Sequence, residues 1–393
     1  MSKSLFSSAA GRAPDRGMAF CLAAWLGVAS PVGATASTDL IRDVLARPAP
    51  PVVHSERAAF FGVDRAGDRL VAVGEHGIIA LSDDNGVTWR QASVPVDVTL
   101  TAVRFASAAV GWAVGHLGTV LKTEDGGEHW VKRLDGIQAA QLAIAQTQDA
   151  NQGGSQVGGD DPSSDTPASR AAQAAGLLAK DGPDKPFFDI LVMSDQDVLV
   201  AGAFNLAFRS EDGGRTWRYW SGHFDNPNGS HIYAIRSRGG SILVAGEQGL
   251  LLRAGPDADR FAPVDAPASA SFFMLLSRGD GTLFLGGLGG NAFVSDGSGN
   301  NWKPSAVNWR QPAALNGGTV TSWKAVLACD QAGRLLVSAD GGESWKVAPL
   351  EPGAPCVGIV EAPDRGVVLA TMGGLRRVGL SVLEKSAPDR SGK

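Results

Sequence analysis

Tyr233 and Glu247 are the two side chains in this sequence best suited to nucleophilic chemistry. A carboxylate beside a phenol can prepare the phenol oxygen to attack a sugar carbon. The two could be neighbours, but no motif joins them. Spacing does not locate the paired carboxylates of ordinary glycoside hydrolysis either. The six histidines form no His-x-x-x-His pattern, and the cysteines form no Cys-x-x-Cys. The sequence therefore nominates no metal site. It contains no glycine-rich phosphate loop and no nucleophile elbow. These residues predict a protein that holds other molecules, with no catalytic residue, no metal and no cofactor.

The recurring polar chemistry is structural. The pattern Ser/Thr-x-Asp-x-Gly-x-x-Trp returns five times, from Ser82, Thr123, Ser210, Ser295 and Ser338. It carries Asp84 and Trp89, Asp125 and Trp130, Asp212 and Trp217, then Gly297 in the Asp position with Trp302, and finally Asp340 and Trp345. Each copy lies between two short apolar runs, as a hairpin turn does. The carboxylate accepts backbone N–H groups of the turn, and the glycine permits positive φ. The indole opens the next strand with a large apolar surface.

A second signature precedes each copy: an apolar run ending in Ala/Val-Gly, two residues, then usually another glycine. Val73-Gly74-Glu75-His76-Gly77 and Ala245-Gly246-Glu247-Gln248-Gly249 are examples, and seven units are countable. A period of about 43 residues with four strands per unit predicts an all-β, seven-bladed β-propeller. A β-solenoid has shorter repeats. The domain plan is a signal peptide over 1–36, an N-terminal lead over 37–55, the propeller over 56–383 and a disordered tail over 384–393. The last unit has three strand-like runs and no Asp motif. Its fourth strand is expected either from the lead at Pro51–His54, closing the ring, or locally at Leu380–Leu383.

Strand direction alternates within a blade, so all the Asp hairpins share one face. The opposite face carries the irregular loops, where binding tends to reside. The candidate contact residues are there: His76, His116, Asn205, Phe224, His231, Tyr233, Glu247, Gln248 and Trp309. The loops Ser221–His231 and Pro304–Thr319 belong to the same face. So does a low-complexity insertion over 137–186, with a disordered middle at Asp149–Ser169. Its flanks Gln138–Gln146 and Arg170–Lys180 are rich in helix formers, which leaves two readings open: a helical hairpin that folds against a partner, or a floppy insert without function. Cys329 ends a strand of unit 6, and Cys356 opens a strand of unit 7. Both point to one face on adjacent blades, which makes a disulfide geometrically sensible.

The first 36 residues read as an export signal. Lys3, Arg12 and Arg16 precede an apolar run from Met18 to Ala29, and cleavage is expected near Ala36 in Ala34-Thr35-Ala36. Met18-Ala19-Phe20-Cys21 lacks the small residue expected before a lipidated cysteine. An oxidising periplasm follows as the expected location. The net charge of −5 and the lack of any Lys/Arg-rich run speak against nucleic acid. After cleavage no stretch is apolar enough to span a membrane, and a monomer with protein partners is expected.

The Asp motif resembles the bacterial neuraminidase repeat, which implies a sialidase-like carbohydrate-active propeller as one alternative. The resemblance implies a Tyr/Glu nucleophilic pair, for which Tyr233 and Glu247 could serve, and an arginine triad, which cannot be nominated beside them. Gly111-Trp112-Ala113-Val114-Gly115-His116-Leu117-Gly118, running into Thr123-Glu124-Asp125-Gly126-Gly127-Glu128-His129-Trp130, resembles the photosystem II stability and assembly factor family. That family is a seven-bladed propeller of cyanobacteria and plastids. The resemblance runs from Phe60 to Val378, outside the insertion. Asp181-Gly182-Pro183-Asp184-Lys185-Pro186-Phe187-Phe188-Asp189 resembles the non-photosynthetic bacterial branch, whose members are encoded near RND-type exporters. The resemblance implies a periplasmic scaffold with membrane-associated protein partners, serving an envelope transport complex or, in a photosynthetic host, photosystem II assembly.

Overall fold

The computed structural model describes residues 34–153, 166–256, 259–297, 299–307 and 311–386. Seven small sheets, antiparallel but for one short outer pairing in the sixth, follow one another along the chain. Their innermost strands, A, are Phe60–Ala66, Leu100–Phe105, Phe187–Val192, Ile232–Arg238, Phe272–Ser277, Leu315–Val320 and Cys356–Glu361. Each strand A touches the next, and the last touches the first, so the sheets close into a seven-bladed ring. Strands B and C follow outward in each blade, and a strand D in the first six.

The Asp hairpins join strands C and D. In the first, the Ser82 hydroxyl donates to Asp84 at 2.8 Å and accepts the Gly86 N–H at 2.8 Å. Asp84 also accepts the Thr88 N–H at 2.9 Å and the Thr88 hydroxyl at 2.6 Å. The hairpin from Ser210 repeats these contacts through Asp212 and Thr216. Gly297, lacking a carboxylate, leaves the fourth hairpin tied by Ser295, which accepts the Gly299 N–H at 3.2 Å.

Each indole then wedges between its own blade and the one before. Trp130 packs with strands of blades 1 and 2, Trp217 with blades 2 and 3, Trp302 with blades 4 and 5, and Trp345 with blades 5 and 6. Trp89 packs between blades 7 and 1. Blade 4 has no Asp motif, and the fully buried Phe261 fills the wedge, stacked on Phe224 with centroids 4.3 Å apart. Between blades 6 and 7 the fully buried Leu383 takes the place.

Ring closure departs from expectation. Blade 7 (Cys356–Glu361, Val367–Thr371, Gly374–Val378) has three strands, and among the described residues neither flank supplies a fourth. Leu380–Ser386 is a helix that carries Leu383 into the seam, so the tail expected from 384 is helical through 386. The lead instead lies against blade 1: Gln91 donates to Pro50 O and accepts the Val52 N–H, both at 2.9 Å. Before it, helix α1 (Ala34–Ala46) seats Leu45 in the core of blades 1 and 2. Of the expected signal peptide, residues 1–33 lie outside the described residues, as does 387–393 of the tail.

The insertion does form a helical hairpin, α2 (Gly136–Gly153) and α3 (Pro167–Asp181). It packs on this chain's own third blade, not outward. Ala139, Ala143, Ala175 and Leu178 are buried with Trp217. The Gln146 side chain donates to Trp217 O at 2.9 Å and accepts the Tyr219 N–H at 2.8 Å, pairing the outer edge of strand D as one residue of a further strand would. The middle expected to be disordered, Asp149–Ser169, is helical at both ends: α2 continues through Gly153 and α3 starts at Pro167 behind its cap Thr166, while 154–165 lie outside the described residues. The loop expected over Pro304–Thr319 is partly strand: Ala306–Val307 adds to blade 6, and Leu315–Val320 is that blade's strand A. Cys329 and Cys356 are joined as a disulfide between strand B of blade 6 and strand A of blade 7.

Candidate functional site

Every strand A carries a register shift at its second residue. Its origin is one backbone contact repeated seven times. The first N–H after strand B donates to the carbonyl just before strand A: Glu75 to Ala59, His116 to Thr99, Ala203 to Pro186, Glu247 to His231, Leu288 to Ser271, Gln331 to Ala314 and Met372 to Pro355. The chain comes so close there that a Cβ on Gly74, Gly115, Gly202, Gly246 or Gly287 would stand 2.1–2.2 Å from that carbonyl oxygen. This is why strand B ends in Ala/Val-Gly.

A bulge leaves one residue unpaired and re-aims its side chain. The seven bulged residues are Phe61, Thr101, Phe188, Tyr233, Phe273, Asn316 and Val357. They ring the axis at the end opposite the Asp hairpins. The polar two tie adjacent blades: Thr101 donates to Phe187 O at 2.6 Å, and Asn316 to Cys356 O at 3.1 Å. On blades 3, 4 and 5 the ring is aromatic. Tyr233 lies between Phe188 (5.4 Å between centroids) and Phe273 (5.0 Å). His231 sits 6.0 Å from both Phe188 and Tyr233, and Phe204 meets its edge at 4.6 Å.

The polar atoms around this cluster are committed to holding it. The Phe204 N–H donates to His231 Nδ1 at 3.0 Å, which fixes a neutral imidazole with its proton on Nε2. Burial pushes His231 below its ordinary pKa, against the pull of Glu247. Glu247 accepts the His231 N–H at 3.2 Å, and Glu75 does the same for Ala59 in blade 1 at 2.9 Å. Phe204 is 57% exposed, takes a left-handed backbone (φ 54°) and lies under Lys185 Nζ. A bulky residue holds that backbone only when its surroundings enforce it.

Further along the same strands, Asp189 is buried between Arg104 (3.2 Å) and Arg236, and it accepts the Ile235 N–H at 3.0 Å. Burial alone would raise its pKa, but Arg236 and Arg104 outweigh that and hold it low. Asp64 accepts the Phe105 N–H at 2.8 Å, and its burial raises it. These charges pin the inner strands of blades 1 to 4 to one another.

Of the residues nominated from sequence, Tyr233, His231 and Glu247 come together. Gln248 shares the turn of Glu247 and is left-handed (φ 53°), and Asn205 lies in the turn that carries Phe204. Asn205 is occupied in its turn, donating to Ser221 O and accepting from Asn226. His76 and His116 lie on blades 1 and 2, apart from the cluster. His76 bonds Asp97 at 2.8 Å, and burial lowers the pKa of His116. Phe224 is not a surface anchor: it is 1% exposed and belongs to the core. Trp309 lies outside the described residues. Phe61, Phe188, Phe204 and Phe273 escape a reading by motif. The signal for three of them was a bulky doublet where strand A opens: Phe60-Phe61, Phe187-Phe188 and Phe272-Phe273.

Among the described residues no group of His, Cys, Asp and Glu is arranged to hold a metal, and no helix is long and apolar enough to cross a membrane.

Comparison in sequence points to the photosystem II assembly factors. A family model for the photosynthesis system II assembly factor YCF48 matches residues 57–159. The photosystem II assembly protein Ycf48 of Synechococcus sp. (strain JA-3-3Ab) is 25% identical over 340 residues, covering 80% of this chain and 96% of that protein. The photosystem II stability/assembly factor HCF136 of Guillardia theta is 41% identical over 51 residues, 12% of this chain and 13% of its own. Among solved structures, YCF48 from Cyanidioschyzon merolae superposes with a TM-score of 0.58 at 14% identity, covering 85% of this chain and 99% of its own. YCF48 bound to D1 peptide gives 0.56 at 18% identity, covering 82% and 94%.

Proposed function

We propose that this chain, similar to the photosystem II assembly factors in sequence and fold, is an exported, non-catalytic assembly factor. It grips an extended apolar segment of a protein partner at the aromatic end of its axis. The observation that carries this reading is the set of bulged rings on blades 3, 4 and 5, Phe188–Tyr233–Phe273, with Phe204 exposed beside them. Aromatic side chains on a rigid frame give large contact area at little entropic cost. A propeller of this shape, YCF48, has been solved with a D1 peptide bound.

Export rests on the basic start, apolar run and Ala34-Thr35-Ala36 of the N-terminal segment. Non-catalysis is supported by the use made of Glu247, which repeats the backbone role of Glu75. In this reading the partner is a membrane-associated protein: a photosystem II component in a photosynthetic host, or a subunit of an RND-type envelope transporter elsewhere.

The test is affinity capture from solubilised membranes, with captured proteins identified by mass. The wild type recovers one such complex, and the Phe188→Ala/Tyr233→Ala variant, folded by circular dichroism, recovers at least about tenfold less. Equal recovery overturns the site. Turnover of chromogenic glycosides that disappears in Tyr233→Phe overturns the non-catalytic reading.

A further inference from the structure

The six other blades have a strand D, and blade 7 stops at strand C, Gly374–Val378. We propose that the outer edge of this strand is a docking edge for an acidic, extended segment of a partner protein, which adds as the missing fourth strand of the seventh blade.

An open edge offers a row of backbone donors and acceptors to any extended chain. Among the described residues the chain's own flanks add no strand to it; Ser55–Arg57 of the lead packs against its Gly374 end. The lead is bonded to Gln91 of blade 1, and the helix after Val378 carries Leu383 into the seam with blade 6. The edge is narrow: Gly374 and Val378 are buried, Leu375 and Arg376 half-buried, and Arg377 exposed. Its central residue, Arg376, and the next, Arg377, are cationic. Arg377 pairs with Asp364 and donates to Asn85 O at 2.9 Å. Arg376 donates only to the Glu351 carbonyl, at 2.8 Å, and no carboxylate pairs with it among the described residues.

That charge selects the occupant. Residues directly opposite across two strands interact, and like charges there repel. A second copy of the strand pairing antiparallel about its centre would set Arg376 against Arg376. An acidic side chain at the same place gains a partner on a half-buried surface. The edge thus rejects its own kind and favours a carboxylate-bearing strand.

The probe is a labelled synthetic peptide, Thr-Val-Glu-Glu-Val-Thr, with Thr-Val-Lys-Lys-Val-Thr as its counterpart, added to the intact protein. Fluorescence anisotropy should show the acidic peptide binding and the basic one not. Hydrogen exchange should slow at the amides of 375–377. Arg376→Glu should weaken the acidic peptide about tenfold, as two cross-strand charge contacts would. It should also turn preference toward the basic peptide, while Arg376→Gln gives an intermediate loss. Tyr233→Ala should leave peptide binding unchanged, which separates this edge from the aromatic site. The proposal is overturned by exchange in the wild type that does not change at 375–377, by equal binding of both peptides, or by self-pairing of the edge seen on sedimentation. The wild-type exchange result stands even where a charge variant fails to fold.

Discussion

Gly86 of blade 1 lies directly against Val368 of blade 7: a Cβ on the glycine would stand 2.5 Å from Val368 Cγ2. The first Asp hairpin thus touches the last blade, across the point where the ring closes. The same glycine in later hairpins meets strand B or C of the preceding blade, as Gly127 meets Leu81, Gly214 meets Trp112 and Gly342 meets Phe284. The hairpins therefore stack one blade on another as well as turning the chain.

Gly86→Ala should be costly for two reasons that add. Its φ of +83° strains any side chain by about 1–2 kcal/mol, and the new methyl overpacks Val368 by about 1–3 kcal/mol. A loss of about 3 kcal/mol, read from the urea midpoint, is expected. Gly176→Ala is the control. Gly176 sits inside α3 with nothing within 4 Å of its would-be Cβ, so it should stabilise by up to about 1 kcal/mol.

The seam between blades 6 and 7 is the one in which a disulfide and Leu383 stand where other seams have an aromatic wedge. The bond spans a sequence separation of 27, and its loss should cost about 3 kcal/mol in the chain-entropy model. Adding reductant should lower the unfolding midpoint of the wild type and leave Cys329→Ala/Cys356→Ala unchanged. An equal response of both proteins to reductant would exclude this role.

Much of this ring was legible because its parts repeat. Asp84 and Trp89 return at a fixed period, so unit count, strand order and the shared face of the hairpins followed from spacing. The seventh blade was not legible, since a missing strand leaves no mark: Pro51–His54 and Leu380–Leu383 both look extended on paper. Phe224 read as a surface aromatic because its partner Phe261 is distant in sequence and fills a wedge that elsewhere belongs to tryptophan. The bulged aromatics were hidden because Phe187-Phe188 reads as two core residues until the pairing register shows one of them displaced.

Acid should loosen the hairpins. Asp84 is held at a pKa of about 2 by the Thr88 hydroxyl and N–H, and Asp212 at about 2 by those of Thr216. Both lie below the value of about 3.9 for an unfolded aspartate. A depressed carboxylate contributes stability that is complete above the unfolded value and is lost as pH falls through the folded one. The melting temperature should therefore fall between pH 4 and pH 2. Asp84→Asn/Asp212→Asn should start lower and show a shallower slope across that window. A slope equal to wild type would mean that other carboxylates govern acid unfolding.

The insertion can now be tested with less damage than deleting it. Removing it whole would uncover Trp217 and leave the outer strand of blade 3 (Arg218–Tyr219) as an open edge, inviting aggregation. Gln146→Ala removes only the side-chain amide that pairs that edge, through Trp217 O and the Tyr219 N–H. Two lost hydrogen bonds at a half-buried site should cost about 1–2 kcal/mol, since water can reach part of the freed backbone. Hydrogen exchange at the Tyr219 amide should speed up while the amides of strand B in the same blade stay protected. Unchanged exchange at Tyr219 would show that the edge is guarded by α2 packing alone. Unaltered partner capture by Gln146→Ala would then assign the insertion to holding blade 3 together, leaving partner contact to the aromatic end of the axis.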